Sequence, residues 1–268
     1  MDIFLEPFFQ RALIGGILIG ITAPLMGVFL VLRRLSMIGD TLAHVTIAGV
    51  ALGFLINLYP VAVGLVFALL ASFAIEWLRK AYKTYAELSI AIIMSGGIAL
   101  ATFLFTMGKG FNVKVTSYLF GSIYTLDQMD LWLVCIVTVL VVAVVLVNFK
   151  EWFLMFFDEE AAAVSGLPIR YYNILITMLT ALVISVAIKI VGALLVSSLL
   201  TIPVAASLAV ARSFKHSVFM AVLFSETAVI AGLVAAGIWN LAPGSSVVLL
   251  LIMILLVTLL FRAGSRAK

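Results

Sequence analysis

The chain has 268 residues, of which 65% are hydrophobic and only 10% are charged. Soluble domains carry about 25% charged residues. A mean hydropathy of +1.32 leaves more apolar surface than one aqueous core can bury. This composition excludes a soluble protein and predicts an integral membrane protein. The net charge of +4 is mild, so it gives no reason to expect a nucleic-acid partner.

Nine apolar segments can be bounded along the chain. They cover about 12–32, 37–57, 61–78, 86–107, 131–149, 172–190, 192–211, 217–239 and 246–261. A transmembrane helix needs about 20 apolar residues, and near-continuous apolar runs favour helices over the alternating strands of a β-barrel. We therefore predict an all-α, polytopic membrane helix bundle with about eight to nine transmembrane helices, which forms a single transmembrane domain over 1–268.

The basic residues predict how this bundle is oriented. If the nine segments alternate sides, most Lys and Arg fall on one side: Arg33, Arg34, Arg79, Lys80, Lys83, Lys150, Arg170, Arg212, Lys215, Arg262, Arg266 and Lys268. The positive-inside rule assigns that side to the cytoplasm. The chain is then a multi-pass protein of the cell membrane, with its N-terminus outside and its C-terminus in the cytoplasm. Arg11, Lys109, Lys114 and Lys189 fall on the outer side.

Two connections are longer than a turn requires. Residues 150–170, on the predicted cytoplasmic side, contain three acidic residues that suit the first turn of a short helix, namely Asp158, Glu159 and Glu160. Gly166 and Pro168 suit its end. This helix, predicted over 152–166, is either a docking element or a plain interfacial helix. Residues 108–130, on the other side, could dip back into the membrane as a short half-helix.

Asp40 and His44 are the strongest candidates for metal ligands. They are four residues apart in the second segment, so on a helix they share one face. Carboxylate oxygen and imidazole nitrogen both bind divalent metals. Ionisable groups inside a span are costly without a partner or a polar cavity. Alternatively, Asp40 reaches the cytoplasmic boundary near Arg33 and Arg34, and His44 forms a hydrogen bond with a neighbouring helix.

Two further residues are candidates for lining a transport path. Glu226 lies about ten residues into the eighth segment, where it either lines the path, pairs with Lys189 or bonds a helix. Pro203 interrupts the seventh segment and frees a backbone carbonyl about one turn earlier. That interruption is either a passive kink or a broken helix that lines a path.

Three stretches together resemble the permease subunits of ATP-binding-cassette importers for zinc, manganese and iron(II). Residues 32–53 contain Gly-Asp-Thr-Leu-Ala-His, which looks like the family's Gly-Asp-x-x-x-His stretch. Residues 157–168 are similar to the family's cytoplasmic coupling segment. Residues 191–203 are similar to a third motif, although Val204 departs from the expected alanine. The sequence Gly-Asp-Thr-Leu-Ala-His looks more like the zinc-transporting members of the family than the manganese-transporting ones.

The resemblance implies a homodimeric permease, not an enzyme, that transports Zn²⁺ or Mn²⁺ and holds no permanent cofactor. It implies two cytoplasmic ATPases and an extracytoplasmic metal-binding protein as partners, which agrees with the absence of a phosphate-binding loop in this chain. Asp40 and His44 match positions that line the family's metal path. The segment from Asp158 to Gly166, with Ala161, would enter the ATPase groove.

Two other functions remain open from the residues. An ion-coupled secondary transporter could use Glu226 and Lys189 as its coupling pair. A membrane-embedded enzyme could use Asp40 and His44 as a catalytic metal dyad.

Overall fold

The computed structural model describes residues 6–82, 85–108, 117–122 and 124–266, and within them the chain is helical without a strand. The helices are α1 (Pro7–Leu32), α2 (Met37–Leu55), α3 (Pro60–Ala81), α4 (Ala86–Met107), α5 (Gln128–Val147), α6 (Phe149–Phe157), α7 (Glu159–Val164), α8 (Ile169–Val191), α9 (Val196–Val210), α10 (Phe214–Trp239) and α11 (Pro243–Arg266). Residues 117–120 add one helical turn. Lys83, Lys109, Lys114 and Lys268 lie outside the described residues.

Eight of these helices are long and apolar enough to cross a membrane: α1 to α5, α8, α10 and α11. The ninth apolar helix, α9, has 15 residues and spans only about 22 Å. Each of the nine predicted segments lies on one of these nine helices, so the predicted all-α bundle is confirmed. The main difference is that α1 begins at Pro7, because proline is tolerated in a first turn whose N–H groups have no helical partner.

The helix ends gather into two ends of the bundle. At one end, which we call the basic end, α1 leads into α2 and α3 leads into α4. The basic end also holds α6 and α7, since Arg33 after α1 pairs with Glu159 of α7 at 3.7 Å. At the opposite end, the Tyr124 hydroxyl donates to Asn240 Oδ1 after α10 at 3.0 Å. The bundle thus separates the basic connections from the others.

Helices α1 and α8 form the centre of the bundle. Helix α1 contacts α5, α8, α9 and α10, whereas α2 packs mainly against α3 and α4. Apolar side chains of α1 and α8 dominate the core, including Ile19, Met26 and Leu179. Helix α4 and the outer face of α11 remain largely exposed, as expected for surfaces that face lipid.

Candidate functional site

Asp40 and His44 both lie on α2, one helical turn apart, as the sequence predicts. Both side chains are partly buried. Asp40 lines an open cleft of about 350 Å³ at the junction of α1, α2 and α9. The other residues that line the cleft are Val31, Ser36, Met37, Ser197, Thr201 and Ala205. The Asp40 carboxylate therefore lies at a cleft that three hydroxyl-bearing residues also line.

The cleft brings Asp40 together with a residue that the sequence analysis did not select. Ser197, in the first turn of α9, donates its hydroxyl to Asp40 Oδ1 at 3.2 Å. Thr201, one turn further along α9, donates to the Ser197 carbonyl at 2.9 Å.

The metal ligands offered by this chain are few. Among the described residues, no three His, Cys, Asp or Glu side chains are close enough to hold one metal ion together. Asp40 and His44 would supply two ligands, and a tetrahedral zinc site needs four. Further donors must then come from water or from another chain.

Pro203 is buried inside α9, and Thr201 and Ala205 of the same helix line the cleft on either side of it in sequence. Proline donates no backbone hydrogen bond, so the carbonyl one turn earlier loses its helical partner. That Pro203 itself lines a transport path stays a prediction.

Glu226 lies near the middle of α10 and packs against α1. A Cβ atom added at Gly20 would lie 2.6 Å from Glu226 Oε1, so this glycine leaves the space that the carboxyl group occupies. Within the described part of the chain, the buried Oε1 has no hydrogen-bond partner. The suggested pairing with Lys189 is wrong, because Lys189 binds other carboxylates.

Lys189, at the end of α8, belongs to a buried polar cluster that sequence reasoning missed. Its ammonium group donates to Asp130 Oδ2 and lies 3.6 Å from Asp127 Oδ2. The Tyr59 hydroxyl donates to Asp130 Oδ1. Only 8% of Lys189 and 4% of Asp130 are exposed. The cluster therefore ties the first residues of α3 and α5 to the end of α8.

The protonation of Tyr59 follows from its surroundings. Burial, together with the hydrogen bond to the Asp130 carboxylate, raises the pKa of the Tyr59 hydroxyl above its usual value. The hydroxyl therefore stays protonated at physiological pH and remains a donor. Asp130 is thereby satisfied by an ammonium group, by a phenol and by the Asp127 N–H at 2.8 Å.

Next to this cluster, residues 117–122 and 189–195 satisfy each other's backbone groups. Ser122 N–H donates to the Lys189 carbonyl at 3.2 Å, and Ala193 N–H donates to the Tyr118 carbonyl at 2.9 Å. Gly192 has a φ of +93°, and a Cβ there would lie 2.5 Å from the Gly121 nitrogen. Only glycine combines that conformation with so close an approach. The connection between α8 and α9 is thus a tightly fixed turn.

Residues 149–164 form two short helices, α6 and α7, rather than the single helix predicted over 152–166. Asp158 separates them, and its Oδ1 accepts a hydrogen bond from Ala161 N–H at 2.8 Å, which caps α7. Glu159 and Glu160 occupy the first turn of α7 as predicted, and Gly166 follows the helix with a φ of +81°. Because Asp158 caps α7, the helix begins there and Glu159 and Glu160 fall in its first turn.

Helix α7 contacts the rest of the bundle through the buried Ala162 and through an ion pair. Arg33 contacts Glu159 and lies over the Phe156 ring of α6, with its guanidinium carbon 5.4 Å from the ring centre. Arg33 follows α1 and lies only a few residues before α2, which carries Asp40. The other side of α7 is exposed, and 90% of Val164 is accessible there.

Eight membrane-length helices, with a carboxylate at an open cleft among them, define a polytopic membrane protein. The sequence profile of the ABC 3 transport family matches residues 6–262. The chain therefore belongs to the ABC 3 transport family.

Individual relatives agree with this assignment. The chain is 32% identical to the manganese import system permease protein ScaB of Streptococcus gordonii, over 94% of this chain and 90% of that protein. It is 32% identical to the high-affinity zinc uptake system membrane protein ZnuB of Haemophilus influenzae, over 91% and 93%. Among solved structures, PsaBC from Streptococcus pneumoniae in complex with Fab matches with a TM-score of 0.86 and 31% identity, covering 96% of this chain and 92% of that one.

Proposed function

We propose that this chain is the membrane-spanning subunit of an ATP-driven importer of Zn²⁺ or Mn²⁺, and that two copies form the translocation path. The observation that carries this proposal is the placement of Asp40 and His44 one turn apart on α2, with Asp40 at an open cleft. The family and the zinc and manganese relatives support the class of cargo.

The number of ligands supports a dimer. Each chain offers one carboxylate and one imidazole, and two chains together offer four ligands, as many as a tetrahedral zinc site takes. Waters added to the same four would give the higher coordination that Mn²⁺ accepts. A site shared between two chains comes apart when the chains move, which suits a permease because it must release the ion that it binds.

The basic end faces the cytoplasm in this proposal. The positive-inside rule favours that orientation, since Arg33, Arg79, Lys150 and Arg212 lie there. The N-terminus is then outside the cell, next to an extracytoplasmic metal-binding protein that delivers the ion. The cytoplasmic ATPase contacts α7, and Asp158, Glu159, Glu160, Ala161 and Gly166 shape this coupling element.

The exposed side of α7 gives a test of this docking. Val164→Lys should weaken binding of the ATPase by about tenfold or more, because losing an apolar anchor at an interface typically has that effect. Lysine is favourable near a helix C-terminus, so α7 itself should persist. Co-purification of the ATPase and ATP-dependent metal uptake measure the change. Leu241→Lys, which alters an exposed apolar residue at the opposite end, is the matched control for co-purification and should leave it unchanged. Undiminished co-purification with Val164→Lys would contradict the docking role.

Metal content of cells tests the proposed function. Cells that lack this protein should contain less zinc or less manganese when that metal is scarce, and expression of the chain should restore the content. Loss of the ATPase should lower the content to the same level. Metal content that does not change without the protein would refute the proposal. Uptake that survives loss of the ATPase would instead indicate a secondary carrier.

A further inference from the structure

The hydrogen bond between Ser197 and Asp40 joins two parts of the chain that are 157 residues apart. Both residues line the same cleft, and Ser197 lies in the first turn of α9. The bond uses one oxygen of the carboxylate, Oδ1. A carboxylate that is fixed through one oxygen keeps the other in a defined direction.

The position of Ser197 is itself fixed from the opposite end of the bundle. Val196 N–H, which begins α9, donates to the Gly192 carbonyl at 3.0 Å. Gly192 is held against Gly121, and Lys189, just before this turn, is anchored by its ion pair with Asp130. Few residues separate this anchored turn from Ser197. The hydroxyl therefore reaches Asp40 from a rigid support rather than from a loose loop.

The face of α9 that lines the cleft carries two hydroxyl-bearing residues. Ser197 and Thr201 are one turn apart and both line the cleft, whereas the next residue on this face is Ala205. The Thr201 hydroxyl donates its hydrogen bond to the Ser197 carbonyl instead. Among the described residues of α9, Ser197 is therefore the one whose side chain donates a hydrogen bond to Asp40.

We infer that Ser197 is a positioning residue for the metal ligand Asp40, which it holds with one carboxylate oxygen bound and the other free for the transported ion. This inference rests on the proposed function. Hydrogen bonds from outer residues to metal-binding carboxylates orient the ligand, and their loss typically weakens metal affinity by about 10- to 100-fold. Ser197 would act on how tightly the ion is held, not on how the ATPase turns over.

The test is uptake of Mn²⁺ and, separately, of Zn²⁺ as a function of metal concentration, in cells that lack their own copy of the protein and contain the ATPase. Ser197→Ala should raise the half-saturating concentration of the transported metal by about tenfold or more and leave the maximal rate near the parental value. Ser197→Thr keeps a hydroxyl and should restore the parental half-saturation. Ser198→Ala is the matched control, because it removes the same group from the next residue of α9, which is not among the described residues lining the cleft.

Each alternative outcome bears on the inference. A parental half-saturating concentration with Ser197→Ala would overturn it, and so would a lowered maximal rate with unchanged half-saturation. Equal shifts for the alanine and threonine variants would show that the hydroxyl is not responsible. The proposed function is checked in parallel with Asp40→Asn. If Asp40→Asn is inactive while Ser197→Ala is parental, only the role of Ser197 fails. If Asp40→Asn transports normally, both fail.

Discussion

Cells that express Asp40→Asn or His44→Ala in place of the parental chain should import no zinc or manganese above background. Each change removes one metal ligand without adding bulk, and each would act twice in a dimer. Two ligands per chain leave no surplus, so the remaining pair could not hold the ion in transit. Metal uptake measured at equal amounts of membrane-inserted protein checks this.

Matched controls separate ligand loss from general damage. His216→Ala removes the chain's other histidine, which lies near the start of α10 at the basic end. Glu87→Gln neutralises an exposed acidic residue in the first turn of α4. Both controls should import metal like the parental chain. Parental uptake by both Asp40→Asn and His44→Ala would show that these residues are not ligands in the path.

Lys189→Met should prevent the chain from accumulating as a folded protein. The change leaves Asp130 buried without its ammonium partner, and breaking a buried ion pair in this way typically costs about 3–5 kcal/mol. Since the cluster ties α3, α5 and α8 together, loss of the ion pair should destabilise the packing of all three helices at the opposite end of the bundle. The amount of protein in the membrane and its thermal stability in detergent measure the effect.

The double variant Lys189→Met with Asp130→Asn makes this prediction specific. It removes both charges and should recover much of the lost stability, because no unpaired charge stays buried. Lys150→Met, which alters an exposed lysine at the basic end, should have little effect. A single variant Lys189→Met as stable as the parental chain would contradict the structural role of the cluster.

The helices were predictable because the signal for them is local. Each apolar run must satisfy its own backbone hydrogen bonds in lipid, so length and hydropathy alone indicate a helix. The face shared by Asp40 and His44 follows in the same way from a four-residue step. The start of α7 was predictable for a related reason, since acidic residues collect where the helix dipole is positive.

The side-chain pairs were not predictable, because they join residues that are far apart in the chain. Lys189 and Asp130 are separated by 59 residues, and Ser197 and Asp40 by 157. The alternation of the segments placed Lys189 on the predicted outer side but gave no sign that its side chain is buried at the end of α8. The Asp127-x-x-Asp130 capping box at the start of α5 was the available signal that a carboxylate lies at that end.

The break between α6 and α7 was missed for a different reason. The prediction treated residues 152–166 as one helix, but Asp158 caps α7 with its own side chain and so begins a new helix. Aspartate competes with the backbone for hydrogen bonds, and this competition ends one helix and starts the next.

The most direct measurement is ATP-dependent metal accumulation in lipid vesicles that contain this chain together with its ATPase and the metal-binding protein. Mn²⁺ or Zn²⁺ should enter the vesicles only when ATP is present on the side of the basic end, and Asp40→Asn should abolish that entry. Metal entry without ATP, driven by an ion gradient alone, or ATP-dependent entry that Asp40→Asn leaves unchanged, would contradict the account.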